Sequence, residues 1–473
     1  MDWSHGLLND AEQRLFRRLS VFVGGCSLEA AEAASDAGRD LGLDVFDGMA
    51  SMVDKSLVQQ LEKTEGEARF VMLETIREYA LERLAESGEE HSTRRAHAAY
   101  CLVLAEEGAS GTADDETEWL DRLETEHENI RAALEWLTRT SDSDWGLRLG
   151  GALFRFWETR EYFKEGRERL AKLLALGTAG AGTKARARAL FSAGVLAGGQ
   201  GDYDGAISLV GQSLEITREL KDQSGQAVSL NAVAVLLRDR GDFEAARPPF
   251  EESLALWRSL GDRTAVARSL SNLANLAKVQ GDYPRSRSLY EECRSIFREL
   301  GDRGGVAWSL NHEGDVAREQ RDLATARALY EESLVSFREL DDRWGIAASL
   351  ADLGNLARDE KDFGKAHSFY EESIRLFQEL GHKRGIARVL EAFAGAAVAQ
   401  SQSERALRLA GAAAALRKTL GARIPAAEQD ALENRLEPAR QALSGQAGAA
   451  AWMEGWVMTV EQAVGEAVSA PRI

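Results

Sequence analysis

The sequence predicts a mainly α-helical chain, a right-handed α-solenoid of helical hairpins preceded by a small α+β domain. Three observations predict it. Residues 301–340 fall on 261–300 when slid back 40 positions and on 341–380 when slid forward 40, and self-similarity at a fixed period marks a repeat array. Each unit is too small to bury its own apolar face, so it has to stack on its neighbours. Only six prolines occur in 473 residues, which suits long uninterrupted helices. Residues 1–88 stand outside the period and mix helical with strand-like runs.

Asn9-Asp10-Ala11-Glu12 reads as a capping box that opens the first helix, with Leu15, Leu19 and Phe22 at helical spacing. Gly24-Gly25 breaks that helix, Ser27 caps a second, SLEAAEAAS, and a third runs over 45–53. LVQQLEKTEGEARFVML predicts two short strands around a polar turn at Glu65-Gly66-Glu67. LETIREYALERLAES then closes the domain as an amphipathic helix with Ile76, Tyr79, Ala80 and Leu84 on one face. Three helices, a hairpin and a closing helix make a winged-helix pattern over 1–88. Residues 89–140 read as one or two charged connector helices, the array as 141–420, and 421–473 as a helical cap.

Within the array, Gly-Asp corners stand at Gly201-Asp202, Gly241-Asp242 and Gly281-Asp282, and continue as Arg321-Asp322 and Lys361-Asp362. Ala206, Ala246, Ser286, Ala326, Ala366 and Ala406 mark the small residue at each helix crossing. Phe250, Tyr290, Tyr330 and Tyr370 form one aromatic ladder, and Trp257, Phe297, Phe337 and Phe377 a second, each followed by a leucine at 260, 300, 340 and 380. These spacings put the large residues on one helix face. A typical unit has helix A over 267–279 and helix B over 283–300. In the tail, Pro425 opens a helix and Thr459-Val460-Glu461-Gln462 is a second capping box.

The chain carries 77 Asp and Glu against 58 Lys and Arg, a net charge of −19. That sign opposes non-specific binding to nucleic acid or anionic membranes. Three dispersed cysteines, Cys26, Cys101 and Cys293, with no CxxC, imply neither a disulfide framework nor zinc. No signal peptide or membrane span is readable, so a cytoplasmic protein is expected. No GxxxxGK[ST], GxSxG or HExxH occurs, and GTAGAGTKAR at 177–186 has the wrong spacing for a phosphate loop. The expectation is a protein with no catalytic residue, cofactor or metal.

The helix A and helix B pattern resembles tetratricopeptide repeats, in a variant of 40 residues rather than about 34. With RRLSVFVGGCSLEAAEAA, SMVDKSLV, FVMLETIREYALERLAESGE, EHENIRAAL and the tail from RLAGAAAALRKTLGARIPAAE, the flanks resemble bacterial STAND-type, LuxR-like signal-transduction ATPases that regulate transcription. In that family a nucleotide-binding domain precedes a winged helix and sensing repeats. The sequence starts at the winged helix and stops after the tail, without that ATPase domain or a C-terminal helix-turn-helix. The resemblance therefore implies a non-enzymatic regulatory and sensing module.

It also implies that helix A lines a concave groove. Arg238, Lys278, Arg318 and Arg358 recur there once per unit. Asn275, Asp315 and Asn355 stand one turn earlier, and Asn231 and Asn311 one turn before that, on the same face. A repeated cation on an acidic chain suits a protein partner or small acidic effector. Against it stands pairing of those cations with neighbouring acids, such as Glu251-Glu252, Glu291-Glu292, Glu331-Glu332 and Glu371-Glu372 on helix B. The alternatives are a stand-alone DNA-binding regulator that uses its winged helix, or the sensing half of a split or truncated ATPase with a nucleotide-binding domain in trans. Residues 1–90 hold 9 Lys and Arg against 19 Asp and Glu, which argues against DNA binding by this chain alone.

Overall fold

The computed structural model describes residues 5–61, 68–109, 116–176, 182–421 and 423–469. The expected hairpin tip at Glu65-Gly66-Glu67 and residues 177–181 of the GTAGAGTKAR loop lie outside them. The chain divides into two compact units, Met1–Ala193 and Gly194–Ile473.

The first unit opens with the winged-helix elements. Helix α1 (Asp10–Leu19) carries the expected capping box: Asn9 Oδ1 accepts from the Ala11 and Glu12 amides, and the Asn9 amide donates to Glu12 Oε2 at 2.9 Å. Helices α2 (Leu28–Ser35) and α3 (Val45–Asp54) follow. Strands β1 (Gln59–Leu61) and β2 (Arg69–Val71) pair antiparallel, with Gln60 opposite Phe70. Cys26 adds a bridge to Phe70, with Cys26 N to Phe70 O at 2.9 Å. Gly25 permits that approach: its φ is +90°, and a Cβ there would lie 2.5 Å from Phe70 O. Helix α4 (Glu74–Ser87) closes a core that includes Leu15, Phe16, Phe22, Met52, Phe70, Ala80 and Leu84.

The connector holds three helices rather than one or two: α5 (Glu90–Ala109), α6 (Glu116–Thr125) and α7 (His127–Arg139). The extra break falls at Glu126. Its carboxylate is tied to Arg69 Nη1 and Asn129 Nδ2, while Asn129 Oδ1 accepts from the Val23 amide at 2.7 Å. Helices α8 (Ser143–Ala152), α9 (Phe154–Thr159) and α10 (Phe163–Ala175) form the divergent first hairpin, and α11 (Lys184–Gly199) leads into the regular array.

The second unit continues with α12 (Tyr203–Glu219). The A helices are α13 (Gln223–Arg240), α15 (Arg263–Val279), α17 (Arg303–Glu319), α19 (Arg343–Asp359) and α21 (Lys383–Ala399). The B helices are α14 (Phe243–Leu260), α16 (Tyr283–Leu300), α18 (Leu323–Glu339), α20 (Phe363–Glu379) and α22 (Ser403–Leu420). Three tail helices end the chain: α23 (Ala426–Ala442), α24 (Gly445–Trp456) and α25 (Val460–Val468), the last with the expected Thr459–Gln462 capping box.

Helix A starts four residues before the expected 267, because the linker aspartate is its cap. Asp222, Asp262, Asp302 and Asp342 each accept a hydrogen bond from the amide three residues on. The small ladder is fully buried, as are Phe250, Tyr290, Tyr330 and Tyr370. The aromatics lie over glycines: a Cβ on Gly354 would sit 2.4 Å from the Tyr370 ring, and one on Gly345 2.4 Å from Phe337. The leucine ladder departs from expectation. Leu260, Leu300, Leu340 and Leu380 stand at the very end of helix B and stay about 40% exposed. They belong to the array's edge rather than its core.

Candidate functional site

Helix α23 locates the inner face of the array. It packs against α21 and α22 and also reaches α13, four hairpins earlier. Seventeen residues span only about 25 Å. One helix of that length can touch both ends only if the A helices curve around it. Arg423, just before it, donates its amide to Gly199 O, and a Cβ on Gly201 would meet the Arg423 side chain. The tail therefore does more than close the stack: α24 and α25 pack on α22, while α23 crosses the mouth of the groove. Only Leu436 and Ala439 of α23 are buried.

The four repeated cations lie along this row of A helices. Lys278 Nζ donates to Asp315 Oδ2 at 3.0 Å, and Arg318 Nη1 to Asp359 Oδ2 at 3.2 Å, each bridging one A helix to the next. Arg238 folds onto Asp239 at 2.7 Å. Arg358 donates to Asp359 Oδ1 at 2.8 Å and to Asn355 Oδ1 at 3.1 Å. Asn231 Oδ1 accepts from Asn272 at 2.9 Å, buried Asn311 donates to Asp352 at 3.3 Å, and Asn275 is half-buried on the same row. Tyr330 donates to Asp315 at 2.8 Å and Tyr370 to Asn355 at 3.0 Å, so the aromatic ladder fixes the polar row from behind.

The cations thus pair with acids on helix A, not with the helix B glutamates. One glutamate of several pairs meets an arginine of the preceding B helix on the outer surface, Arg218 to Glu252 at 3.3 Å, Arg258 to Glu292 at 2.9 Å and Arg338 to Glu372 at 3.4 Å, while Glu331 and Glu371 pair with Arg327 and Arg375 of their own helix. Two separate charge ladders therefore run along the array, an inner one from A helix to A helix and an outer one from B helix to B helix.

Burial sets the electrostatics of the inner row. It pushes the Asp315 carboxyl up, but Lys278, Arg318 and His312 outweigh it and hold the group well below the usual carboxylate range. Asp352, with Arg388 Nη2 at 2.6 Å, is kept above its ordinary value because burial there outweighs its partner. Burial lowers His312 to about 4, so it is neutral near pH 7. Asp239, Asp352, Asp359, Asn272, His312 and Arg388 were not singled out by the sequence reading. Asp239 and Asp359 sit directly after ladder cations, a signal that was there to find.

Among the described residues no group of three or more His, Cys, Asp or Glu side chains could hold a metal ion, and no helix is long and apolar enough to cross a membrane. All three cysteines are free and buried. In the winged domain, α3 presents Asp44, Phe46, Asp47, Ala50 and Asp54 outward, and Lys55 is paired with Glu12 at 2.8 Å. His5, the only histidine of that domain, packs against Phe16 and Tyr79, each ring centroid at 5.7 Å.

Comparison with known proteins fits this architecture. Residues 8–85 match the model of a winged helix-turn-helix domain, and 185–259, 225–299 and 265–339 match the tetratricopeptide repeat model. A Mycobacterium tuberculosis protein provisionally named an HTH-type transcriptional regulator is 41% identical over 167 residues, 35% of this chain and 19% of that protein. An uncharacterized protein of the same species is 41% identical over 90 residues, 19% of this chain and 23% of that one. The chain thus spans about a fifth of the length of these curated relatives. Among solved structures, a signal transduction ATPase with numerous domains and a tetratricopeptide repeat sensor, from Pyrococcus horikoshii, aligns with TM-score 0.55 and 15% identity over 93% of this chain and 63% of that one. A Rap protein complexed with competence and sporulation factor aligns with TM-score 0.51 and 13% identity over 72% of this chain and 99% of that one. The chain carries a winged helix-turn-helix domain followed by a solenoid of tetratricopeptide repeats.

Proposed function

We propose that this chain is the regulatory and sensing portion of a transcription-control protein, and that the inner face of its repeats binds a protein partner or a small acidic effector. One observation carries the reading. On a chain of net charge −19, Arg238, Lys278, Arg318 and Arg358 recur along the face that α23 covers only partly. Asn231, Asn275, Asn311, Asp315 and Asn355 supply hydrogen-bonding groups beside them. Each cation is held by an A-helix aspartate, so an acidic ligand competes with Asp239, Asp315 or Asp359 for it, and the repeat of the row sets the register of that competition. The Rap protein that aligns with this chain is complexed with competence and sporulation factor.

No step of this role needs catalysis by the chain. The outward face of α3 argues against its reading DNA unaided, since a recognition helix needs donors for base edges and phosphates. A nucleotide-binding domain, on the same or another polypeptide, is the partner proposed for the winged-helix unit, by analogy with the ATPase from Pyrococcus horikoshii.

The test is site-specific photocrosslinking in cells. A photoreactive residue at Asn275, on the inner row, is expected to yield a discrete adduct of protein or small-molecule mass. One at Glu292, on the outer B ladder, is expected to yield none. Equal adducts at both positions would refute the inner-face assignment.

A further inference from the structure

The last two A-helix steps of the array contain a cleft of about 590 Å³ that the charge ladder alone does not explain. Five cations, Arg318, Arg321, Arg358, Lys361 and Arg435, face two carboxylates, Glu319 and Asp359. Asp359 is already shared: it accepts from Arg358 at 2.8 Å and from Arg318 at 3.2 Å. Arg318 Nε is buried without a hydrogen-bond partner. Arg435, on α23, forms no ion pair or hydrogen bond with any described residue.

The geometry brings these arginines together deliberately. Gly395 on α21 is where α23 and α19 meet, and a Cβ there would lie 2.6 Å from Arg435 Cδ and 3.2 Å from Arg358 Nη1. The missing side chain lets both arginines occupy one spot. Bringing one guanidinium beside another without a carboxylate for it costs electrostatic energy. Burial first, then Arg358, lowers the pKa of Arg435 from its ordinary value. The side chains that line the cleft carry three more positive charges than negative ones; Asp315 and Asp352 act on Arg318 from behind, but no carboxylate of a described residue is bonded to Arg435, and an anion in the cleft would relieve that.

We propose that this cleft is a binding site for a phosphate group, free or carried by a small metabolite, with Arg318, Arg358 and Arg435 as its ligands. The planar guanidinium fork suits phosphate oxygens, and three such forks converge where α23 lies on the array. Because Arg435 comes from α23 and the others from the repeats, an occupied site clamps α23 onto the inner face. The proposal narrows the effector reading above to one end of the groove and rests on it.

The experiment is isothermal titration calorimetry on the full chain with inorganic phosphate and, separately, with a sugar phosphate. Saturable binding of at least one probe is expected, together with a rise in melting temperature. Tighter binding of the sugar phosphate assigns the remaining cleft volume to the metabolite body, and equal binding assigns phosphate itself as the ligand. Arg435→Gln should weaken binding about 10-fold or more, the loss of one charge-assisted contact. Glu319→Gln removes a competing carboxylate and should tighten it, a change that misfolding cannot mimic. Arg263→Gln, on the outer surface beside Glu299, should leave it unchanged. Absence of saturable binding by either probe, or wild-type affinity in Arg435→Gln, overturns the site. A crosslink retained at Asn275 with no phosphate binding would defeat this proposal alone and leave the wider reading standing.

Discussion

At Asp341 the backbone takes φ of +53°, in the left-handed region, to turn from helix B into helix A. Equivalent corners at 261 and 301 are glycines, with φ of +74° and +72°. A side chain in this region costs about 1–2 kcal/mol, of which a glycine returns part through its freer unfolded chain. Asp341→Gly is therefore expected to stabilise the array by about 0.5–1 kcal/mol, seen as a higher denaturant midpoint with unchanged slope. A drop in midpoint would show that the carboxylate has a role at this corner. His97 gives a second residue-scale outcome. It is buried in the first unit against Phe22, ring centroids 5.0 Å apart, and burial lowers its pKa from 6.5 to about 4. The unfolded chain takes up a proton as pH falls through 6.5, whereas the folded chain resists until about 4, so His97 costs stability across that window as the solution is acidified. His97→Gln should flatten the loss by up to about 1.4 kcal/mol per pH unit, measured by denaturation at successive pH values.

Helix pairing shows which contacts were legible in advance. Capping boxes, aspartate caps and the buried aromatic ladder were readable because each depends on residues within one or two turns, or on a spacing that repeats. Exposure of Leu260 and its copies was not, since a helix face assigned by periodicity does not reveal where the helix stops. The crossing of α22 and α24 was hidden for another reason. It rests on two unremarkable glycines: a Cβ on Gly455 would lie 1.8 Å from Arg408 O, and one on Gly411 2.3 Å from Trp452 O. Such backbone-on-backbone contact tolerates no methyl. Gly455→Ala should cost about 1–3 kcal/mol and raise hydrogen exchange in α24 and α25 first. Uniform loss of protection across the repeats would contradict a locally closed cap. The candidate site was legible in part on the same grounds. Its cations followed the period, but Arg435 arrives on an aperiodic helix that the pattern could not place.

At the scale of the whole molecule, charge separates the regulatory reading from the DNA-binding one. A chain of net −19 can still hold a local basic surface, so the sum alone decides nothing. What decides is where the cations of the winged-helix region are spent. Of the nine Lys and Arg in residues 1–90, Arg17, Arg18, Lys55, Arg69, Arg77 and Arg83 all sit in ion pairs with Asp or Glu, several of them shielded from water. A cation held by a carboxylate releases no counterion from a phosphate backbone without first giving up its partner. With 19 acids in the same stretch, approach to DNA is repulsive over about 10 Å at 0.1 M salt. The full chain is therefore expected to leave short genomic duplexes unretarded in a gel at about 50 mM salt, conditions under which non-specific binders show about micromolar affinity. Retardation that collapses steeply as salt rises would mean that phosphates are being neutralised, and would return the winged helix to the role of a reader.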